Sequence, residues 1–254
     1  MSGLQQYRSQ AEQFARDGYA VFASALDAAL LAVLRRECDD FVAREDQRMD
    51  AAGVDTLGIN HRGKRYFANE CQRERPALRR MLFSPVMADI GRALLGPDVY
   101  FFFDQYVVKG PEEGLAFSWH QDSGYVVGNG GPADHAPYLT CWCPLEDTTA
   151  LNGTISIIPG SHRAGILPHV RQAGSNDLVG PAAESQALMI EARAGDVVAF
   201  SSLLLHASGA NRSDRPRRVY LAQYTAEPML DRDTRQLRRN AIALVRHGTQ
   251  VTFG

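Results

Sequence analysis

The triplet His120-Gln121-Asp122, with His206 and Arg217 far downstream, holds the residue types needed to bind one metal ion and one acidic small molecule. Side chains at i and i+2 of an extended segment leave the same face, so the imidazole and the carboxylate can meet one cation. A second imidazole, His206, can join them from a neighbouring strand. Two histidines and one carboxylate on one face of a six-coordinate ion leave three positions open, which is the donor set of non-haem Fe(II) oxygenases. Ser118, His120 and Asp122 share one face of the run Phe117 to Asp122, and an unpartnered buried carboxylate is costly, so that face calls for a cation.

Arg217 opens an alternating run in which Arg217, Val219 and Leu221 share one face and Arg218, Tyr220 and Ala222 the other. An arginine on the face of Val219 and Leu221 needs an anion, and a planar guanidinium fits a carboxylate through two parallel hydrogen bonds. Of the other histidines, His61, His135, His162, His169 and His247 sit in glycine-, proline- or charge-rich contexts and read as surface or loop residues. Only His61 and His135 are placed to reach a substrate.

The elements that position these residues change character along the chain. Tyr7, Ala11, Phe14 and Ala15 recur at helical spacing, Asp17-Gly18 stops that helix, and Tyr19 to Phe22 reads as a strand. Ser24 with Asp27 reads as a capping box for a second helix ending near Phe41, and Ser84-Pro85 starts another that Gly96-Pro97 ends. Glu45 to Arg75 is polar and aperiodic, and is expected to be a loop or lid. From Val99 the chain becomes a series of short β-type runs: Val99 to Val108, Leu115 to His120, Tyr138 to Leu145, Thr154 to Ile158, Ala187 to Ile190, Asp196 to Phe200 and Arg217 to Tyr224. That spacing suits a β-barrel or jelly roll, with Gly124 to Pro137 as a loop after the metal strand.

A chain of 254 residues is expected to form one domain: helices over 1–98, a β core over 99–226 and a C-terminal extension over 227–254. The balance of 27 Lys and Arg against 29 Asp and Glu gives a net charge of −2, with no general pull toward nucleic acid or anionic lipid. The partner is therefore expected to be a small molecule. The polar stretch Met1 to Gln13 is unlike a signal peptide, and Ala25 to Leu34 contains Asp27 and is too short to cross a bilayer, so no membrane span and a cytoplasmic location are expected. Cys38, Cys71, Cys141 and Cys143 read as reduced thiols, since Cys141-x-Cys143 has no matching second pair for a structural zinc site.

Together these residues resemble the phytanoyl-CoA dioxygenase family of Fe(II)/2-oxoglutarate oxygenases. The resemblance runs through Phe14-x-x-Asp17-Gly18-Tyr19, His120-Gln121-Asp122, Trp142 to Glu146 followed by Asn152-Gly153, Pro159-Gly160-Ser161-His162, and His206-x-Ser208 leading to Asn211-x-Ser213 and Arg217. It implies a double-stranded β-helix, a jelly-roll variant. It also implies that His120, Asp122 and His206 ligate iron, that Arg217 with Ser208 clamps the distal carboxylate of 2-oxoglutarate, and that Trp142 and Gln105 line the co-substrate. His162 falls in a structural turn and is not counted as a ligand. The implied reaction uses Fe(II), 2-oxoglutarate and O2 to hydroxylate a C–H bond, releasing succinate and CO2. Asp122 fills the position that halogenating relatives vacate, which favours hydroxylation.

Two other readings compete: a catalytically silent jelly-roll ligand-binding protein, and a metal-dependent hydrolase or isomerase that polarises water or a carbonyl. The substrate class implied is a specialised metabolite, a fatty or amino acid, or a carrier-bound acyl group. His61, Arg62, Lys64 and Arg65 offer an acidic group a place to bind, and Phe101, Phe102, Phe103, Phe117 and Trp119 offer apolar wall.

Overall fold

The computed structural model describes residues 3–111, 116–172, 177–181 and 184–252. In chain order it runs α1 (Gly3–Gln6), α2 (Arg8–Asp17), β1 (Tyr19–Phe22), α3 (Ala28–Ala52), β2 (Thr56–Leu57), β3 (Asn60–His61), β4 (Arg65–Asn69), α4 (Arg79–Leu82), α5 (Pro85–Leu95) and β5 (Val99–Lys109). Then come β6 (Phe117–His120), α6 (Asp122–Gly128), β7 (Leu139–Pro144), β8 (Ile155–Ile157), β9 (Val170–Arg171), β10 (Leu178–Val179) and β11 (Leu188–Ile190). The described chain closes with β12 (Val197–Ser201), β13 (His206–Ser208), β14 (Arg217–Thr225), β15 (Ile242–Arg246) and β16 (Thr249–Gln250).

The helix boundaries follow from local chemistry. Gly18 ends α2 in the left-handed conformation, at φ 83°, where a side chain would be strained. Ser84 caps α5, with Pro85 in its first turn. The second helix departs from expectation at both ends. Its cap is Asp27, whose carboxylate accepts the Leu30 N–H at 2.8 Å, and not Ser24, which turns at φ 51°. It also runs on to Ala52 because Phe41, Glu45 and Met49 continue the buried stripe. Glu45, expected to open a polar loop or lid, is instead a buried helical residue held against Arg48 and Asn60, at 2.6 and 2.9 Å.

The expected lid over Glu45 to Arg75 is a different structure. Its first turns belong to α3, and β2, β3 and β4 extend the edge of a ten-stranded sheet ordered β1-β12-β7-β14-β5-β4-β3-β2, with β15 and β16 joined through β5. Arg62 is engaged there by Asp46, Asp50 and Asp55.

A second sheet, β11-β8-β13-β6, faces the first. Strand alternation sorts the large sheet into two faces. Ala20, Phe22, Tyr106, Cys141, Cys143, Ala199, Tyr220 and Tyr224 form the main core with helical Leu34, Cys38, Phe41 and Ile90. Burial of this kind contributes roughly 1.5–3 kcal/mol per large side chain. On the inner face, Tyr19, Trp142, Val198, Phe200 and Val219 pack against Ile155, Ile157 and Ile190 of the small sheet. Helices on the outside and a sandwiched apolar layer within make a double-stranded β-helix, the jelly-roll architecture expected. Burial pushes the thiols of Cys38, Cys141 and Cys143 well up.

Candidate metal and co-substrate site

Strand β6 ends at His120, and Asp122 is the first residue of helix α6. The two side chains therefore do not share one strand face, contrary to the i, i+2 expectation. Asp122 reaches the site because the chain turns into a helix directly after the histidine. His206 opens β13 and stands opposite His120 in the antiparallel pair β13–β6, with ring centroids 4.2 Å apart. Asp122 Oδ1 lies 3.9 Å from His120 Nε2 and 3.5 Å from His206 Nε2, and the three ligand atoms all fall within 4.8 Å of one another.

Each of these side chains is held with one lone pair spare. His120 Nδ1 donates to the Ser118 carbonyl at 2.7 Å and His206 Nδ1 to the Leu204 carbonyl at 2.9 Å, which fixes both rings with Nε2 unprotonated. Burial, reinforced by His206, pushes the His120 pKa well below the usual histidine range, which favours the neutral ligand form. Asp122 Oδ2 accepts from Thr140 Oγ1 at 2.5 Å and from Gln223 Nε2 at 3.2 Å, and Gln223 also donates to Thr140 at 3.0 Å. Oδ1 is thereby left for a cation. Two imidazoles and a monodentate carboxylate arranged so fit a ferrous ion. Thr140 and Gln223 were not legible as site residues, because their role exists only once α6 brings Asp122 to the inner face.

Gln121, between His120 and Asp122, is fully buried and organises the surroundings. Its amide donates to the carbonyls of Gly165 and Leu203, its Oε1 accepts from the Leu167 N–H, and its own N–H is taken by His169 Nε2 at 2.9 Å. His169 is therefore a structural partner of the metal strand and not the surface residue expected from its context.

The candidate anion-binding end lies at the start of β14. Arg217 is 1 % exposed, shares the inner face with Val219 and Leu221, and has a guanidinium that donates to the Gly153 carbonyl at 3.1 Å while its Nε has no partner. It lies over the Trp142 ring at 5.9 Å, and burial lowers its pKa to about 10. Gly153 adopts φ +76°, and a Cβ there would lie 2.3 Å from the Gly209 carbonyl, so the Asn152-Gly153 pair is needed for this approach. Arg218 turns outward to Asp39 and Glu146.

Lys109, missed from sequence, stands directly across from Arg217 in the β14–β5 register, with Arg65 across from it on β4. It is fully buried, and its ammonium donates to Ser208 Oγ at 2.7 Å and to the carbonyls of Ser208 and Gly209 at 3.2 and 2.5 Å. Three acceptors match the three N–H bonds of the charged form, whereas burial and Arg217 pull the pKa down to about 5. The geometry favours the ammonium, and a bound anion would reinforce it. The signal was present in sequence: Lys109 continues the alternation Gln105, Val107, but the expected strand stopped at Val108. Gln105 donates its amide to Asn69 at 2.5 Å and lies on the row of Leu221 and Trp142, two side-chain rows from Lys109.

His61 lies on β3, between the edge strand β2 and β4, facing Thr56 and Arg65, and is not among the convergent ligands. His162 packs beside Gly18. No helix among the described residues is long and apolar enough to cross a membrane.

Known proteins share this architecture. An ectoine dioxygenase of Sphingopyxis alaskensis is 28% identical over 234 residues, covering 85% of this chain and 75% of that protein. The L-proline trans-4-hydroxylase of Streptomyces griseoviridis is 28% identical over 166 residues, covering 57% of this chain and 61% of that one. Among solved structures, EctD from S. alaskensis with 2-oxoglutarate and 5-hydroxyectoine superposes with TM-score 0.69 at 26% identity, covering 94% of this chain and 86% of that one. The profile of the phytanoyl-CoA dioxygenase (PhyH) family matches residues 14–219, and the chain belongs to this family of 2-oxoglutarate-dependent non-haem oxygenases.

Proposed function

We propose that His120, Asp122 and His206 hold one ferrous ion and that Arg217, with Lys109 and Ser208, receives the far carboxylate of 2-oxoglutarate, so that the enzyme hydroxylates an unactivated C–H bond of a small organic molecule. The observation that carries this reading is a pair of buried basic side chains, Lys109 and Arg217, set side by side with no carboxylate paired to either among the described residues, on the sheet whose Gln223 and Thr140 bind Asp122. Buried like charges are costly unless an anion joins them. A dicarboxylate that also chelates the ion meets that need. A hydrolase or isomerase would have no use for the pair, and a silent binding protein no use for the hydrogen bonds that leave Nε2, Nε2 and Oδ1 free.

When bound, the ferrous ion supplies the redox chemistry by which 2-oxoglutarate, O2 and substrate R–H become succinate, CO2 and R–OH. The chain's own residues prepare it. Ser118 and Leu204 carbonyls hold the imidazole tautomers, Thr140 and Gln223 keep Asp122 monodentate, and Arg217 with Lys109 orients the co-substrate. Trp142 walls its flank, while Gln105 stands nearer the metal end. Phe200 and Tyr125 pack against His206 and His120 at 4.7 and 5.3 Å, limiting water around the ligands. The same reading treats the chain as one oxygenase unit and places it in the cytoplasm, where its four thiols remain reduced.

The test is succinate release from 2-oxoglutarate with Fe(II), ascorbate and O2. Production that needs all of these supports the reading. Production unaffected by Arg217→Ala would count against it.

A further inference from the structure

A cavity of about 290 Å³ lies between residues 132–136 and the segment that follows β14. That segment falls outside the family match, which ends at 219. Among the lining residues are Thr225, His135, Asp134, Glu227, Arg232 and Arg235. Thr225 is 4 % exposed and its hydroxyl has no protein partner. His135 donates Nδ1–H to the Ala136 carbonyl at 2.8 Å, which turns a lone pair out at Nε2, also buried and unpartnered. A buried polar atom left without a hydrogen bond costs about 1–3 kcal/mol, so this wall is short of partners that a ligand can supply.

The cavity shares strand β14 with the candidate metal site. Thr225 follows Gln223 on the same face of β14, about 7 Å along the strand, and Gln223 holds Asp122. The His135 ring packs on Tyr138 at 5.8 Å. The wall is also fixed in place. Arg238 donates to the carbonyls of Gly130 and Asn129 and pairs with Asp231, and Asn240 donates to the Phe102 carbonyl. Arg239, between these anchors, lies over Phe103 at 5.0 Å, and Phe103 pairs with Gln223.

The charges in the cavity are the informative feature. Two arginines and two carboxylates, all four exposed, stand at the rim of this open cavity, and among the described residues none of the four is ion-paired with another. We propose that this cavity receives the remote end of the primary substrate, and that the substrate is a small zwitterion, carrying a carboxylate for Arg232 and Arg235 and an ammonium for Glu227, Asp134 and the Nε2 of His135. This rests on the oxygenase reading above and narrows its substrate class. The oxidised carbon then lies on the side of the molecule toward Asp122.

The full-length enzyme, loaded with Fe(II) and 2-oxoglutarate, is offered free α-amino acids and N-methylated betaines in one arm. The other arm contains their amides, their N-acyl derivatives, fatty acids and acyl thioesters. Succinate release is followed in air, and binding is measured by calorimetry without oxygen. A zwitterion is expected to bind and to raise succinate release about tenfold, while its singly charged derivatives do neither. Thr225→Val and the double change Arg232→Ala/Arg235→Ala should raise the KM for that zwitterion about tenfold or more, from loss of charge-assisted hydrogen bonds, and Arg232→Lys/Arg235→Lys should restore most of it. Stimulation by thioesters or neutral molecules alone overturns the zwitterion assignment and leaves the oxygenase standing. A zwitterion whose KM ignores the cavity variants removes the site. Absence of succinate under every condition removes the oxygenase reading and this proposal with it.

Discussion

At the scale of single residues, the site depends on hydrogen bonds that decide which lone pair faces the metal. Thr140 and Gln223 both bind Asp122 Oδ2, so removing either hydroxyl or amide frees the carboxylate to rotate. Thr140→Val is expected to weaken Fe(II) binding by about 10- to 100-fold, measured by metal titration of the apoprotein, with the circular-dichroism spectrum unchanged. The two buried cations predict a contrast between function and stability. Lys109→Met removes a buried charge of similar volume, so the melting temperature should hold or rise, while the 2-oxoglutarate KM rises about tenfold. Arg217→Ala should raise that KM by roughly 100-fold, because both hydrogen bonds to the carboxylate are lost with the charge. A lower melting temperature for Lys109→Met would show that the ammonium supports the fold more than the ligand.

At the scale of elements, the fit between sequence and structure depends on whether a residue's neighbours are local. The seven strands expected between Val99 and Tyr224 form within a residue or two of their expected bounds, and Arg217 was placed on the inner face from Val219 and Leu221 alone, whereas the short strands β9, β10 and β13 were not expected and the expected loop from Gly124 starts as α6. The ends of α3 and the strands β2 to β4 were illegible because their partners are remote. Glu45 is buried only through Asn60, and β4 forms only against β5. The ligand triplet was legible by residue type, but the strand-to-helix break at Gln121 was not, since its cause is the set of loop carbonyls and His169 gathered around it. One element deserves a direct test. Gly153 brings its carbonyl to Arg217 at a positive φ and against Gly209, so Gly153→Ala is expected to destabilise the fold by about 2–4 kcal/mol in chemical denaturation and to weaken 2-oxoglutarate binding as well.

At the scale of the whole molecule, the outer core contains one carboxylate that makes stability depend on pH. Asp104 is fully buried between β5 and the helical layer, accepts from Tyr220 and the Gln72 N–H, and has a pKa raised by burial to about 6. Because the folded state holds this proton more tightly than the unfolded chain, stability from this group is full below pH 3.8 and is lost as pH rises through about 6. The loss is up to about 3 kcal/mol. Asp104→Asn should therefore flatten the melting temperature between the acidic and neutral ends of that window, as thermal denaturation across a pH series will show.

The pinning of residues 231–240 to the carbonyls of Asn129, Gly130 and Phe102 has a consequence for how such a catalyst can diversify. The residues that would grip iron and keto acid lie within the barrel, whereas the arginines proposed to sort prospective guests ride on a strap outside it. New guests can then be accommodated by rewriting the strap while the oxidising machinery stays as it is.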